Sequence, residues 1–271
     1  IYQFLTFLLI PIIKLNVKIR IRKGKEDKKR YIERYGINTV NKPKGKLIWI
    51  HAASVGEFKS SAMLIENLYK RSNILVTTTT LTAAKYASEH YGKKIIHQYA
   101  PLDVKQWVKK FIYYWKPALI IWVESDLWPT TLNTIKENSI KSIVLNLRVS
   151  PKSYSKWLIF KNFYNSLIDP FSNIYAQSLN DKKRIENLTK KRIEFLGNLK
   201  FSSEENKTNK ILLKRRSKFF KNYKILLFAS THNLEEKLFM HCIKRLINKY
   251  NDLKIIIAPR HPERSIKLLE L

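Results

Sequence analysis

Cysteine is nearly absent. Cys242 stands alone in 271 residues, which excludes an intramolecular disulfide framework and any multi-cysteine zinc site and fits a reducing compartment. The six histidines, His51, His90, His97, His232, His241 and His261, are scattered, and no two lie at the helical spacing that metal ligands use. Acidic residues are scarce: 21 Asp plus Glu face 52 Lys plus Arg, a formal charge of +31. Such a field favours an anionic partner, and the count alone does not choose between a membrane surface, nucleic acid and a phosphorylated substrate. No basic stripe with interleaved aromatics is present, so nucleic acid is not an expected partner. There is no repeat of fixed period, and no small-residue cleavage site follows the apolar N-terminus.

That N-terminus is the first positive feature. "IYQFLTFLLIPIIKL" is almost entirely apolar and is followed by Lys18, Arg20, Arg22, Lys23, Lys25, Lys28, Lys29 and Arg30. A full span needs about 20 residues, so an interfacial or anchoring helix is the expectation, with a buried core helix as the alternative. A basic flank on the C-terminal side places the rest of the chain on the cytoplasmic face.

Beyond Pro43 two kinds of segment alternate. Short β-branched runs, "KLIWIH", "NILVTT", "ALIIWV", "SIVLNL", "NIYAQ", "RIEFLG", "KILLFA" and "KIIIA", are separated by amphipathic stretches such as Lys59 to Lys70, Leu102 to Trp115 and Asp181 to Lys190. With 45% hydrophobic side chains to bury, near-continuous apolar strands joined by helices predict an α/β fold with parallel sheets covered on both faces. The polar run "FSSEENKTNK", Phe201 to Lys210, reads as the start of a linker over 201–222, after which the alternation restarts. Two α/β domains are therefore expected.

In an open parallel sheet, ligands bind at the carboxyl ends of the strands. The unusual residues of this chain collect there: "ASVGE", "TTTTLT", "ESDLWP", "NLRVS", "STHNLEE" and "PRHPER" each follow a strand candidate. Glu57 has two readings. Ser54 followed by an acid three residues on has capping-box spacing; a carboxylate at the end of a buried strand is also well placed to move a proton. Glu124, at the end of "ALIIWVE", is either paired with a Lys or Arg or functional, because an unpaired charge there is costly. "ESD" has the form of a two-carboxylate metal motif, but without a further ligand it makes a poor site, so no metal is expected.

Taken in order, "IWIHAASVGEF", "VTTTTLTAAKYA", "YAPLD", "VESDLWP", "LNLRVSPKS", "LGNLKF", "ASTHNLEE" and "APRHPER" resemble the Kdo transferases, which attach 3-deoxy-D-manno-octulosonic acid (Kdo) to lipid A precursor in lipopolysaccharide synthesis. The resemblance implies two Rossmann-like domains of the GT-B type, CMP-Kdo as donor substrate with no further cofactor, and a lipid A precursor and an anionic membrane surface as partners at the cytoplasmic side of the inner membrane. It divides the chain into a membrane-associated segment (1–30), an acceptor-binding domain (31–200), the linker (201–222) and the start of a nucleotide-sugar domain (223–271). It assigns catalysis to Glu57 as general base, with Glu124 and Lys200 stabilising the transition state; acceptor binding to Ser54, Gly56, Thr78, Trp128 and Arg148; and donor binding to Ser230, Thr231, His232, Pro259, Arg260 and His261. Two departures are Ser125 and Asp126, where Thr-Glu is commoner in the family, and an ending soon after "PRHPER". From the second we expect an incomplete second domain and little activity of the chain as written.

Three chemical expectations accompany this. If Glu57 lies in the first turn of a helix, the helix dipole favours its ionised form. The small residues Ala52, Ala53 and Gly56 leave room for a bulky acceptor. Ser230 and Thr231, between a strand and a helix, offer hydroxyls and backbone N–H groups to a phosphate; read structurally, Ser230 is an ordinary N-cap and Arg264 a helix-surface charge. The alternatives are another GT-B transferase with a different nucleotide sugar, or a non-catalytic basic membrane-binding protein.

Overall fold

Alternating apolar side chains along the strands put one set on each face of a single sheet. The computed structural model describes residues 2–124, 126–202 and 210–269. Contacts divide the chain into two compact units, Ile1–Glu204 and Glu205–Leu271.

In the first unit six parallel strands, β1 (Leu47–His51), β2 (Asn73–Thr78), β3 (Ile96–Tyr99), β4 (Leu119–Val123), β5 (Ser142–Leu147) and β6 (Asn173–Ala176), lie in the order β3-β2-β1-β4-β5-β6. The order reverses between β1 and β4, which opens a crevice at their carboxyl ends. Leu47, Trp49, Ile120 and Trp122 pack with Phe111, Trp115 and Phe171 on one face; Ile48, Ile50, Ile121 and Val123 pack with Phe58, Ile65, Ile74 and Val76 on the other. Trp49, Trp115 and Trp122 are fully buried. Truncating one of them to Ala would cost about 3–5 kcal/mol in lost burial and cavity formation.

The sequence reading missed β3. Its core pair is polar: His97 and Gln98 face inward because Thr78 Oγ1 and Trp115 Nε1 bond to them at 2.9 Å each. "RIEFLG" is not a strand but a single parallel bridge, Tyr175 to Glu194. The amphipathic stretch after β1 is two short helices, Val55–Ser60 and Ala62–Leu68, because Ser60 and Ser61 turn their hydroxyls onto Glu57 O and Phe58 O.

The N-terminal segment forms helices Tyr2–Leu8 and Ile10–Arg22. Within these two helices only Val17 is buried, whereas Phe4, Phe7, Leu8, Ile12 and Leu15 are exposed. Those apolar side chains lie outside the described core. Among the described residues no helix is long and apolar enough to cross a membrane. The following loop is pinned to the sheet by buried charge. Arg34 bonds Glu26 and Ala100 O, Glu33 accepts from Tyr99 N at 2.7 Å, and Arg30 reaches His97 O at 2.8 Å. Burial and the two guanidiniums hold His97 down at about 3, so it is neutral in this cluster. Gly36 follows at φ 69°, where a Cβ would lie 2.1 Å from Trp107 O.

The second unit contains a parallel pair, β7 (Lys224–Thr231) and β8 (Leu253–Pro259), joined by the helix Asn233–Lys249. Residues 203–209 of the expected linker lie outside the described residues. Lys210–Phe220, the rest of its body, is an α-helix: "KILLKRRSKFF" consists of good helix formers without Gly or Pro, a signal the polar stretch before it obscured.

Candidate functional site

Ser54 and Glu57 make the capping contacts that their spacing predicts. Ser54 Oγ caps the helix Val55–Ser60 by accepting from Glu57 N at 3.3 Å, and the Glu57 carboxylate reaches back to accept from Ala53 N at 2.5 Å and from Ser54 Oγ at 3.0 Å. The cap fixes the carboxylate at the crevice instead of competing with a chemical role. The net effect on its acidity is the opposite of the dipole expectation. Burial pushes the Glu57 carboxyl above its ordinary value and nearby Glu124 adds to the push, outweighing His51 and the bonds from Ser54 and Ala53. A base with a raised pKa holds a proton more firmly once it has taken one.

Across the crevice, Glu124 follows β4 directly and takes φ 62°. Its carboxylate meets Lys200 Nζ at 2.8 Å, and Asn146 Nδ2 lies 3.5 Å away. The pairing expected for a strand-end acid is thus made, and by the lysine assigned beside it. Asn146, at φ 60° and buried, also accepts from Leu199 N at 3.2 Å, so one side chain ties the Lys200 segment to the Glu124 loop. Left-handed non-glycine residues cost about 1–3 kcal/mol each and collect at functional sites. Asn146 was missed by sequence reading; an Asn, which tolerates that conformation, ending an apolar strand was the available signal.

The other assigned residues divide. Gly56 is exposed, and a Cβ added there would meet open space, its nearest neighbour being Ser54 Oγ at 3.8 Å. Ala52 and Ala53 are buried instead, because they complete the core beneath the turn. Trp128 lies edge-on to His51, ring centroids 5.1 Å apart, and Arg148 is exposed at the end of β5. Thr78 departs from its assignment: it is completely buried, and its hydroxyl is engaged by His97. Ser125 lies outside the described residues. Asp103 of "YAPLD" accepts from Thr130 N and Thr131 N at 2.9 and 2.8 Å and so caps the helix Pro129–Glu137.

Sequence reading gave His51 no role and weighed Asp126 only as half of the two-carboxylate motif. His51 is completely buried as the last residue of β1, with Nδ1 2.9 Å from Thr77 Oγ1 and Nε2 3.9 Å from Asp126 Oδ2. Burial works against an ionised Asp126, but the His51 contact and Trp128 outweigh it and hold its carboxyl below the usual range. Among the described residues no group of three or more His, Cys, Asp or Glu is placed to hold a metal ion.

In the second unit Ser230, Thr231, His232, Pro259, Arg260 and His261 gather at the carboxyl ends of β7 and β8, with Arg260 N bonded to Thr231 O at 3.0 Å. Ser230 is not the N-cap. It takes φ 60°, and His232 caps the helix, its N–H donating to Glu235 at 2.8 Å. The Thr231 hydroxyl donates to Glu236 at 2.7 Å, and Glu236, fully buried, is paired with Arg264. Arg264 is therefore no surface charge: it anchors the loop after β8 to the helix after β7, because a buried carboxylate needs a cation.

A Rossmann-type sheet with an acid at each side of its switch point defines a GT-B-like α/β protein. The fold matches the Neisseria meningitidis UDP-GlcNAc 2-epimerase bound to UDP-GlcNAc at TM-score 0.57 and 15% identity, covering 83% of this chain and 68% of that one. It matches the S. aureus MnaA–UDP co-structure at 0.52 and 17%, covering 83% and 66%. At such identity the likeness shows the fold alone. The 3-deoxy-D-manno-octulosonic-acid transferase (kdotransferase) family matches residues 29–203. Proteins named 3-deoxy-D-manno-octulosonic acid transferase are 38% identical in Rickettsia bellii, over 99% of this chain and 65% of that protein, and 30% identical in Haemophilus influenzae, over 97% and 63%. The chain belongs to the Kdo transferase family, and it spans about two thirds of the length of these curated relatives.

Proposed function

We propose that the protein is an inverting glycosyltransferase that moves Kdo from CMP-Kdo to a lipid A precursor at the cytoplasmic face of the inner membrane. The observation that carries this reading is the half-buried Glu57 carboxylate, fixed by its own helix cap beside the switch point of the sheet. Glu57 takes the proton of an acceptor hydroxyl as that oxygen attacks the anomeric carbon of Kdo; the bond from that carbon to the phosphate oxygen breaks, and CMP leaves with the electron pair. Lys200, held by Glu124, supplies positive charge as negative charge develops. Ser54, Gly56, Trp128 and Arg148 line the acceptor side, and backbone N–H groups near Ser230 to His232, with Arg260 and His261, receive the nucleotide phosphate. No metal is required in this scheme. The exposed apolar face of the first two helices and the basic residues after it lie against the anionic membrane, each cation contributing about 1 kcal/mol.

The test is Glu57→Gln, assayed with CMP-Kdo and lipid A precursor. We expect an unchanged melting temperature and a loss of transfer of about a hundredfold or more; near-parental turnover would refute the base assignment. Activity that a chelator abolishes and magnesium restores would refute metal independence. Changing Phe4, Phe7, Leu8, Ile12 and Leu15 to Ser should weaken binding to anionic vesicles at low salt, and unaltered binding would place the contact elsewhere.

A further inference from the structure

The helices Pro151–Ile159 and Lys161–Ile168 meet in a bend at Phe160, and their core-facing positions are already filled. Tyr154 and Trp157 of the first pack against the core around Trp49 and Trp122, and Tyr164, Leu167 and Ile168 of the second belong to it. The apolar residues at the bend, Leu158, Ile159, Phe160 and Phe163, are left over: Ile159 is 78% exposed and Phe160 60%. Phe160 closes one helix and opens the next, a place where Ser, Asp, Asn or Gly would serve the backbone, and it makes no side-chain cap. Helix chemistry therefore gives no reason for an exposed aromatic there. A cluster of exposed apolar side chains of this size marks a surface that meets something apolar.

The charge around the bend narrows what that is. From Arg148 to Ile168 there is no acidic residue, and Lys152, Lys156 and Lys161, all exposed, flank the apolar tip. An apolar tip flanked by cations alone complements an anionic lipid interface, where the rings enter the headgroup boundary and the lysines stay with the phosphates. A second copy seated on the same patch would instead bring its lysines against these. The bend also shares a layer with the surface assigned above to the membrane: the helix Pro129–Glu137 packs against Lys161–Ile168 and against Tyr2–Leu8, over the sheet face of Trp49 and Trp122. We propose that Leu158, Ile159, Phe160 and Phe163 form a second membrane-contact site, which enters the headgroup boundary of an anionic phospholipid bilayer. The helix that carries the tip is capped by Ser150 just after β5 and is about 13 Å long, so the contact is fixed relative to the carboxyl edge of the sheet. The lipid contact stands on these residues; only its use, holding the crevice at the surface that carries the acceptor, rests on the function proposed above.

The test labels the tip in the full chain. In a Cys242→Ser background, Ile159→Cys carries an environment-sensitive fluorophore, and so, as a control, does Ser88→Cys on the helix Leu81–Tyr91, which packs on the opposite face of the sheet. Both positions are exposed, so the melting temperature should not change. Vesicles of phosphatidylcholine and phosphatidylglycerol, brominated in their acyl chains and free of lipid A precursor, should quench the Ile159 label and shift its emission to the blue, and leave the Ser88 label unaltered. A bound protein whose Ile159 label is quenched no more than the Ser88 label overturns the proposal, as does a failure to bind. Ile159→Ser combined with Phe160→Ser should weaken vesicle binding by about tenfold or more, the equivalent of one apolar side chain withdrawn from burial; unchanged affinity overturns it. A dimer in sedimentation that this double change dissociates, with no quenching by vesicles, would give the patch to a second copy. No transfer is measured, so an inactive Kdo assay leaves the outcome intact. If the Ser changes at Phe4, Phe7, Leu8, Ile12 and Leu15 leave vesicle binding unaltered while the Ile159 label is quenched, the N-terminal anchor falls and this site stands.

Discussion

Glu57 and Glu124 stand on neighbouring strand ends and are held by opposite means. At Glu57 the backbone is helical and the side chain receives hydrogen bonds from its own turn; at Glu124 the backbone is left-handed and the side chain is matched by an ion pair with Lys200. Burial raises the Glu57 pKa, whereas Glu124 has a cation at 2.8 Å. A carboxylate that gives and takes protons needs an environment that brings its two states closer in energy, and one that supports charge needs a permanent partner. Under the proposed function, the contrast fits proton transfer by Glu57 and electrostatic support by Glu124.

The largest effect that tests this contrast is the difference between two isosteric changes. Glu57→Gln should lose about a hundredfold or more in kcat, and Glu124→Gln about tenfold, because the Lys200 pair is partly solvated; equal losses would erase the distinction. In the parent enzyme kcat should rise with pH as Glu57 loses its proton, with the midpoint above the range of an exposed glutamate, and a midpoint at the ordinary value would remove the role given to burial. Next in size is a double-mutant cycle. Lys200→Met and Glu124→Gln should each cost about tenfold, and the double mutant no more than either alone. Additive losses would mean that the two residues act separately.

The smallest effect is on stability and reverses sign between the sites. Glu124→Gly should be more stable than Glu124→Ala by about 1 kcal/mol, since glycine accepts the left-handed backbone. Glu57→Gly should be less stable than Glu57→Ala by about the same amount, since that position is helical. Denaturant midpoints of the four variants decide it.

Much of this site was legible before the structure. The capping spacing of Ser54 and Glu57, the strand-end charge of Glu124 and the strand-helix alternation are local signals, and each lies where the sequence put it. What escaped depended on partners far along the chain. β3 is short and polar because His97 and Gln98 serve Thr78 and Trp115. Thr78 looked available only while His97 was unplaced, and His51 looked like an ordinary strand residue until Asp126 was seen opposite it. The sign of the Glu57 shift was misjudged because the dipole of a helix can be read from sequence, whereas the depth of burial cannot.

The charge cluster that pins the N-terminal loop to β3 also orders events in time. Arg30 and Arg34 bond carbonyls of His97 and Ala100, 67 and 66 residues further along. A chain made from its N-terminus exposes its apolar helices well before the strand that will orient them has been synthesised. Completion of β3 is thus required before the loop of Arg30 and Arg34 can be held against the sheet.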